Sequence, residues 1–268
     1  MDISRCSLNS ATIRGADLNE VVDLAEHSGF GGVGLWRDVL DDCDLVSYGR
    51  EVAERGLRVT SVCRGGMFPQ PDKATRRKTL EDNYKAVDQA SDLNADCLVL
   101  VCGAAVGRDL TGGRSQIFDG IAELEPYARE AGVRLAIEPM HPMMASTRSA
   151  ITSLREANDI VERIDSSHVG IALDSYHVWW DAELSTETTR AAGSILSVQI
   201  ADWMTPIHDE LSSRGMPGDG CIELPAFLKA ATTAGYDGLV EVEVLSNFWW
   251  RQPPTDAVTA AVHGLRRI

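Results

Sequence analysis

Four oxygen-bearing side chains stand out because each ends or interrupts an apolar run. Glu138 follows Leu135-Ala136-Ile137, and Asp174 follows Val169-Gly170-Ile171-Ala172-Leu173. Gln199 lies within Ile195-Leu196-Ser197-Val198-Gln199-Ile200-Ala201, and Glu243 alternates with Glu241 in Leu239-Val240-Glu241-Val242-Glu243-Val244. Three carboxylates and one amide oxygen form a hard donor set. It suits one divalent metal ion, Mn²⁺ first, with Mg²⁺, Co²⁺ or Zn²⁺ also admissible. Buried together without a cation, three acids would be costly. A single acid after a strand is as readily a helix cap or an ion-pair partner. Acids and an amide on four successive strands are harder to explain that way. Glu241 and Glu243 share parity and so face the same side of their strand. Glu243 lies nearer the carboxyl end and is the better ligand, while Glu241 can pair with a base deeper in the fold, Arg134 for instance.

Further candidates lie just beyond other apolar runs. His177 follows Asp174 by three residues and is a substrate contact more than a ligand. His141 follows Pro139 by two. Arg37 comes after Gly32–Trp36, Arg64 and Phe68 after Leu57–Cys63, and Arg214 within Arg214-Gly215-Met216-Pro217-Gly218-Asp219-Gly220. Arginines at such positions can hold hydroxyls, a carboxylate or a phosphate. Trp179, Trp180, Trp203 and the Phe248-Trp249-Trp250 cluster can wall a sugar site or simply pack loops on a rim.

The elements that would place these residues repeat along the whole chain. Eight apolar, β-branched runs read as strands: Cys6–Thr12, Gly32–Trp36, Leu57–Cys63, Cys97–Cys102, Val133–Glu138, Val169–Asp174, Ile195–Ala201 and Leu239–Leu245. Continuous apolar runs fit strands covered on both faces of a parallel sheet. Helical spacing fills the intervals, as in Ile117, Ile121, Leu124 and Ala128, in Leu80, Tyr84 and Val87, in Ile151, Leu154, Val161 and Ile164, and in Val258, Val262 and Leu265. Gly29, Gly56, Gly132 and Gly235 each close a helix before a strand. Eight such units predict a single (β/α)8 barrel domain over residues 1–268. No Gly-x-Gly-x-x-Gly opens a helix after the first strand, and the glycine-rich run Gly29–Gly34 enters a strand, so a dinucleotide sheet has little support.

In such a barrel, chemistry sits at the carboxyl ends of the strands, where all four donors fall. The chain of 268 residues fits the size of one barrel, and its formal net charge of −15 disfavours nucleic acid and acidic membranes as partners. No apolar run reaches the ~20 residues of a membrane span, and the first residues lack a signal-peptide core, which points to the cytoplasm. The six cysteines form no Cys-x-x-Cys pair, and Cys63, Cys97 and Cys102 are expected as buried free thiols.

The segments Leu135–Pro142, Asp174–Trp180, Arg214–Gly220 and Gly235–Glu243 carry a resemblance. The chain resembles the sugar phosphate isomerase/epimerase family of xylose isomerase-like barrels, whose relatives include ketose 3-epimerases, hydroxypyruvate isomerase, inosose dehydratase, 3-dehydroshikimate dehydratase and endonuclease IV. The resemblance implies metal ligation by Glu138, Asp174, Gln199 and Glu243, with Glu138 and Glu243 also serving as an acid/base pair. It implies that His177 and Arg214 touch substrate. Many members carry His at the position of Gln199, while hydroxypyruvate isomerase-like members carry Gln. The activity implied is a metal-dependent isomerase or epimerase of a keto-sugar or related hydroxy-carbonyl, moving a proton through an enediolate. A dehydratase or lyase on a keto-cyclitol or keto-sugar, and a non-catalytic subunit of a sugar-modifying complex, remain alternatives. A homo-oligomer is compatible with all three.

Overall fold

The computed structural model describes residues 1–40 and 44–268. Eight parallel strands close into a barrel: β1 (Cys6–Asn9), β2 (Gly32–Trp36), β3 (Arg58–Gly66), β4 (Leu98–Val101), β5 (Leu135–Ile137), β6 (Val169–Asp174), β7 (Ile195–Ile200) and, after a two-stranded ribbon, β10 (Val240–Val242). The ribbon pairs β8 (Asp202–Trp203) with β9 (Arg214–Gly215) antiparallel. The helices between them include α1 (Leu18–Ser28), α2 (Leu45–Glu54), α3 (Lys73–Asp92), α4 (Leu110–Glu130), α5 (Leu154–Ile164), α6 (Ser175–Val178), α7 (Leu184–Arg190), α8 (Leu224–Thr233) and α9 (Pro254–Leu265).

The apolar runs became strands because helices cover their outer faces, so nearly every residue of β4, β5 and β6 is buried. Ile117, Ile121, Leu124 and Ala128 of α4 are all buried, as their spacing requires. Gly29, Gly56, Gly132 and Gly235 have φ between 73° and 94°, the left-handed region in which glycine ends a helix without strain. Strand ends differ from the sequence expectation where the partner runs out. Ser10–Ile13 leave β1 as a 3₁₀ turn, with the Asn9 side chain accepting from Ala11 N. Past Val242, pairing gives way to loop, although Glu243 N still donates to Ile200 O. Ile151 precedes α5 instead of belonging to it, its carbonyl accepting from Met140 N. The ribbon was invisible as strand because each arm is only two residues long. Among the described residues no helix is long and apolar enough to cross a membrane.

Register sets the interior. Ser7 of β1 pairs with Glu241 of β10, Glu241 with Gln199 of β7, and Gln199 with Asp174 of β6. Residues in register on neighbouring strands point to the same face, so these polar groups share one layer inside the barrel. Gly34 of β2 faces that layer, and a Cβ there would lie 2.5 Å from the Glu241 carboxyl carbon. Gly34→Ala is therefore expected to destabilise the fold by about 1–3 kcal/mol, read by urea unfolding. An unchanged midpoint would mean that Glu241 does not occupy this space.

Candidate metal and acid/base site

Glu241 forms the floor of the site. Its carboxylate is fully buried and has no basic partner among the described residues. Neutral donors surround it instead: Asn9 Nδ2 at 2.6 Å, Thr60 Oγ1 at 2.6 Å, Ser61 Oγ at 2.9 Å and Gln199 Nε2 at 2.8 Å. Arg134, the base expected for it, reaches the Asp96 carbonyl at the other end of the barrel. Short polar side chains from β1 and β3 were placed there by the barrel's closure, which brings strands distant in sequence to β10.

The bond from Gln199 to Glu241 fixes the amide. Its Nε2 is spent on the floor carboxylate, so Oε1 is turned away from it. That buried oxygen has no hydrogen-bond partner among the described residues. Buried acceptors rarely go unpaired, and the register neighbour on its other side is another carboxylate, Asp174. A cation between them would satisfy both.

Asp174 ends β6 and caps α6, its Oδ1 accepting from Tyr176 N at 2.9 Å. Its Oδ2 accepts from Arg214 Nη1 at 2.8 Å. The same nitrogen donates to Glu243 Oε2 at 3.1 Å, so the guanidinium stands between the two carboxylates. Arg214 lies on β9 and reaches the site because Asp202 ties the ribbon's loop back, accepting from Gly218 N and Ile222 N. Its guanidinium stacks over the Tyr176 ring. Glu243 is further held by Trp36 Nε1 at 2.9 Å and Asn9 Nδ2 at 3.2 Å. Glu138, just past β5, is buried, and its carboxylate receives no hydrogen bond among the described residues. Glu138, Asp174 and His177 offer ligand atoms within 4.8 Å of one another.

Burial in this layer raises the acids' pKa values. Glu138 is pushed well up by desolvation and by the charges of Glu243 and Asp174. Desolvation raises Asp174 too, against the pull of Arg214 and the Tyr176 amide. Glu243 moves up to about 7, burial outweighing Arg214. His177 is pushed well down by burial and by Arg214, which keeps the imidazole neutral. Its Nδ1 faces the His141 amide at 3.3 Å and its Nε2 faces Arg214 Nη2 at 3.1 Å.

The structure thus gathers Glu138, Asp174, Gln199, Glu243, His177 and Arg214 at one mouth. It does not bring Arg37 or Phe68 there. The Arg37 guanidinium is turned outward, holding Asp82 at 2.8 Å and Gln89 at 2.6 Å, and Phe68 packs under α4 against Gly120. His141 caps Met143 N and stacks on Trp203 and Trp180, where it backs His177. Trp203 also stacks on Tyr176 and Trp179, so these aromatics support the histidines. Asn9, Thr60 and Ser61 escaped the sequence reading. Their one visible signal was a polar residue within an apolar run, which Asn9, Thr60 and Ser61 share with many harmless cases.

Residues 22–268 match the family model described as xylose isomerase-like TIM barrel. The chain belongs to this family. The xylose isomerase-like barrel is 28% identical to 3-dehydroshikimate dehydratase of Pseudomonas aeruginosa, over 94% of this chain and 39% of that protein. It thus spans well under half of that relative's length. It is 25% identical to inosose isomerase of Bacillus velezensis, over 96% of this chain and 93% of that one. Ketose 3-epimerases also match. A solved structure of a Sinorhizobium meliloti 1021 protein superposes with a TM-score of 0.95 at 41% identity, covering 99% of this chain and 98% of that one. These relatives are thus named as a dehydratase, an isomerase and epimerases.

The raised pKa of Glu243 has a consequence for stability without metal. Its value in the fold, about 7, exceeds the ordinary 4.5, so the native state holds the extra proton. The stability from this group is complete below the unfolded value and is lost as pH rises through the folded one. With chelator present, the melting temperature should fall between about pH 4.5 and 7, and Glu243→Gln should flatten that fall. A slope identical in the variant would remove Glu243 as its source.

Proposed function

We propose that the chain is a divalent-metal-dependent isomerase or epimerase of a keto-sugar or related hydroxy-carbonyl. Glu138, Asp174, Gln199 and Glu243 would hold the ion. The observation that carries this reading is the unpartnered Gln199 Oε1, aimed by Glu241 into a group of buried carboxylates. The donor set is all oxygen, which favours Mn²⁺ or Mg²⁺. His177 is the weaker ligand candidate, because both its ring nitrogens already face donors.

When bound, the metal supplies Lewis-acid stabilisation of the oxyanion that develops as the carbon next to a carbonyl loses its proton. The chain's own residues do the rest. Glu138 leaves β5 and Glu243 leaves β10, with β6 and β7 between them in the wall. The two carboxylates therefore approach the centre from two sides, as removal of a proton on one face and return on another requires. Glu138, carrying no donor, is free to take a proton. Glu243 is oriented by Trp36, Asn9 and Arg214. Arg214 Nε, a buried donor without partner among the described residues, would serve a substrate oxygen. Neutral His177 beside it can donate to or accept from a hydroxyl. The dehydratase relatives keep elimination of a β-hydroxyl as a second reading, since the same proton abstraction begins it.

Calorimetric titration with Mn²⁺ should give one site per chain. Glu138→Gln should weaken it by about a hundredfold or more, whereas His177→Gln should change it by less than about tenfold. Equal losses in both variants would make His177 a ligand. Solvent deuterium should enter substrate carbon across a panel of keto-sugars, and loss of water without exchange would replace isomerisation by elimination. Absence of any divalent-ion binding would sink the reading.

A further inference from the structure

A cavity of about 590 Å³ lies over the barrel mouth, formed by the ends of β2 and β3 and by segments that follow β1, β2, β5, β7 and β10. That volume accommodates a small organic substrate. The cavity meets the site below through Trp36, whose ring nitrogen donates to Glu243 Oε1 at 2.9 Å. Its walls carry three arginines, Arg14, Arg64 and Arg148.

These arginines differ from many others of the chain. Acidic residues number 40 against 25 basic ones, and Arg37, Arg55, Arg58, Arg155 and Arg190 are each paired with a carboxylate. Arg64 and Arg148 are half-buried, yet their guanidinium groups have no ion pair or hydrogen bond among the described residues. Arg64 stands near the end of β3, and Arg148 follows β5 close enough to His177 for its charge to be felt there. Arg14 lies over the Trp250 ring at the outer edge, and Trp250 is pinned by its bond to the Ala11 carbonyl. Among the described residues the lining holds two acids, Asp38 and Asp17, which caps α1. Among the described residues the rim thus carries more positive than negative charge, on a chain of net charge −15.

We infer that this cavity receives an anionic group of the substrate, a carboxylate or a phosphate, between Arg64 and Arg148, with Arg14 at the entrance. The inference rests on the proposed chemistry of the carboxylate site beneath, because it places the far end of the same substrate. Partly desolvated guanidinium groups without partners favour an oxyanion through charge-assisted, bidentate hydrogen bonds. They also offset the repulsion that an acidic chain exerts on an anion at a distance. A neutral sugar would leave two half-buried charges unmatched.

The test titrates inorganic phosphate and, separately, acetate into the Mg²⁺-loaded protein, followed by calorimetry and by tryptophan fluorescence, with melting curves to establish that each variant is folded. Saturable binding of at least one anion is expected, and the tighter of the two names the group. Arg64→Gln and Arg148→Gln should each weaken it by about tenfold or more. Arg64→Lys, which keeps the charge but not the fork, should fall between wild type and Arg64→Gln. Glu138→Gln should leave anion affinity within about twofold, since it touches the metal site and not the rim. Metal content measured on the same samples reports separately on the proposed metal site. No saturable binding of either anion, binding preserved in both glutamine variants of the arginines, or binding lost in Glu138→Gln with the arginines intact would each overturn the inference.

Discussion

Glu138, Asp174, Glu241 and Glu243 are all buried within one end of the barrel, none more than 3% exposed. Carboxylates in such surroundings must be neutralised, protonated or hydrogen-bonded, and three solutions coexist here. Glu241 is satisfied by neutral donors from β1, β3 and β7. Asp174 and Glu243 share one guanidinium. Glu138 has neither, and burial drives its pKa up. Many other interior features follow from this arrangement. Gly34 is small because a carboxyl group fills the space beside it, and the β8–β9 ribbon exists where Arg214 must be delivered.

The floor and the mouth divide the work. Glu241 accepts from Gln199 and thereby orients the amide oxygen, so a carboxylate on the floor decides where the proposed ligand atom points. Second contacts of this kind commonly tune metal sites. Above them the polarity reverses. The acidic centre gives way to a rim with three arginines, so on the proposed chemistry a substrate that reached both would carry a hydroxy-carbonyl at one end and negative charge at the other. The aromatic cluster of Trp203, Tyr176, His141 and Trp180 packs together, and Tyr176 lies against both His177 and Arg214. Rigid support of this sort is what keeps a site pre-organised.

Similarity to dehydratases, isomerases and epimerases alike is what this design would produce. Abstraction of a proton beside a carbonyl can begin all three reactions. On the proposed chemistry, the outcome would depend on which carbon is reprotonated or which group leaves.

Much of this was legible in the chain. Apolar runs ending in Glu138, Asp174 and Glu243, separated by helical spacing and closing glycines, determined a parallel barrel with acids at its mouth, because strand periodicity and helix punctuation are local properties. Parity placed Glu241 and Glu243 on the same face. What sits opposite them was decided only by closure: β1 against β10, and β3 reaching across with Thr60 and Ser61. Arg37 and Arg64 follow neighbouring strands and look alike in sequence, yet one is bound to Asp82 and the other opens on the cavity. Whether a charge is paired depends on residues tens of positions away, which no local pattern encodes. The orphaned oxygen of Gln199 is of the same kind, since it exists only because the barrel sets Glu241 on one side of the amide and Asp174 on the other.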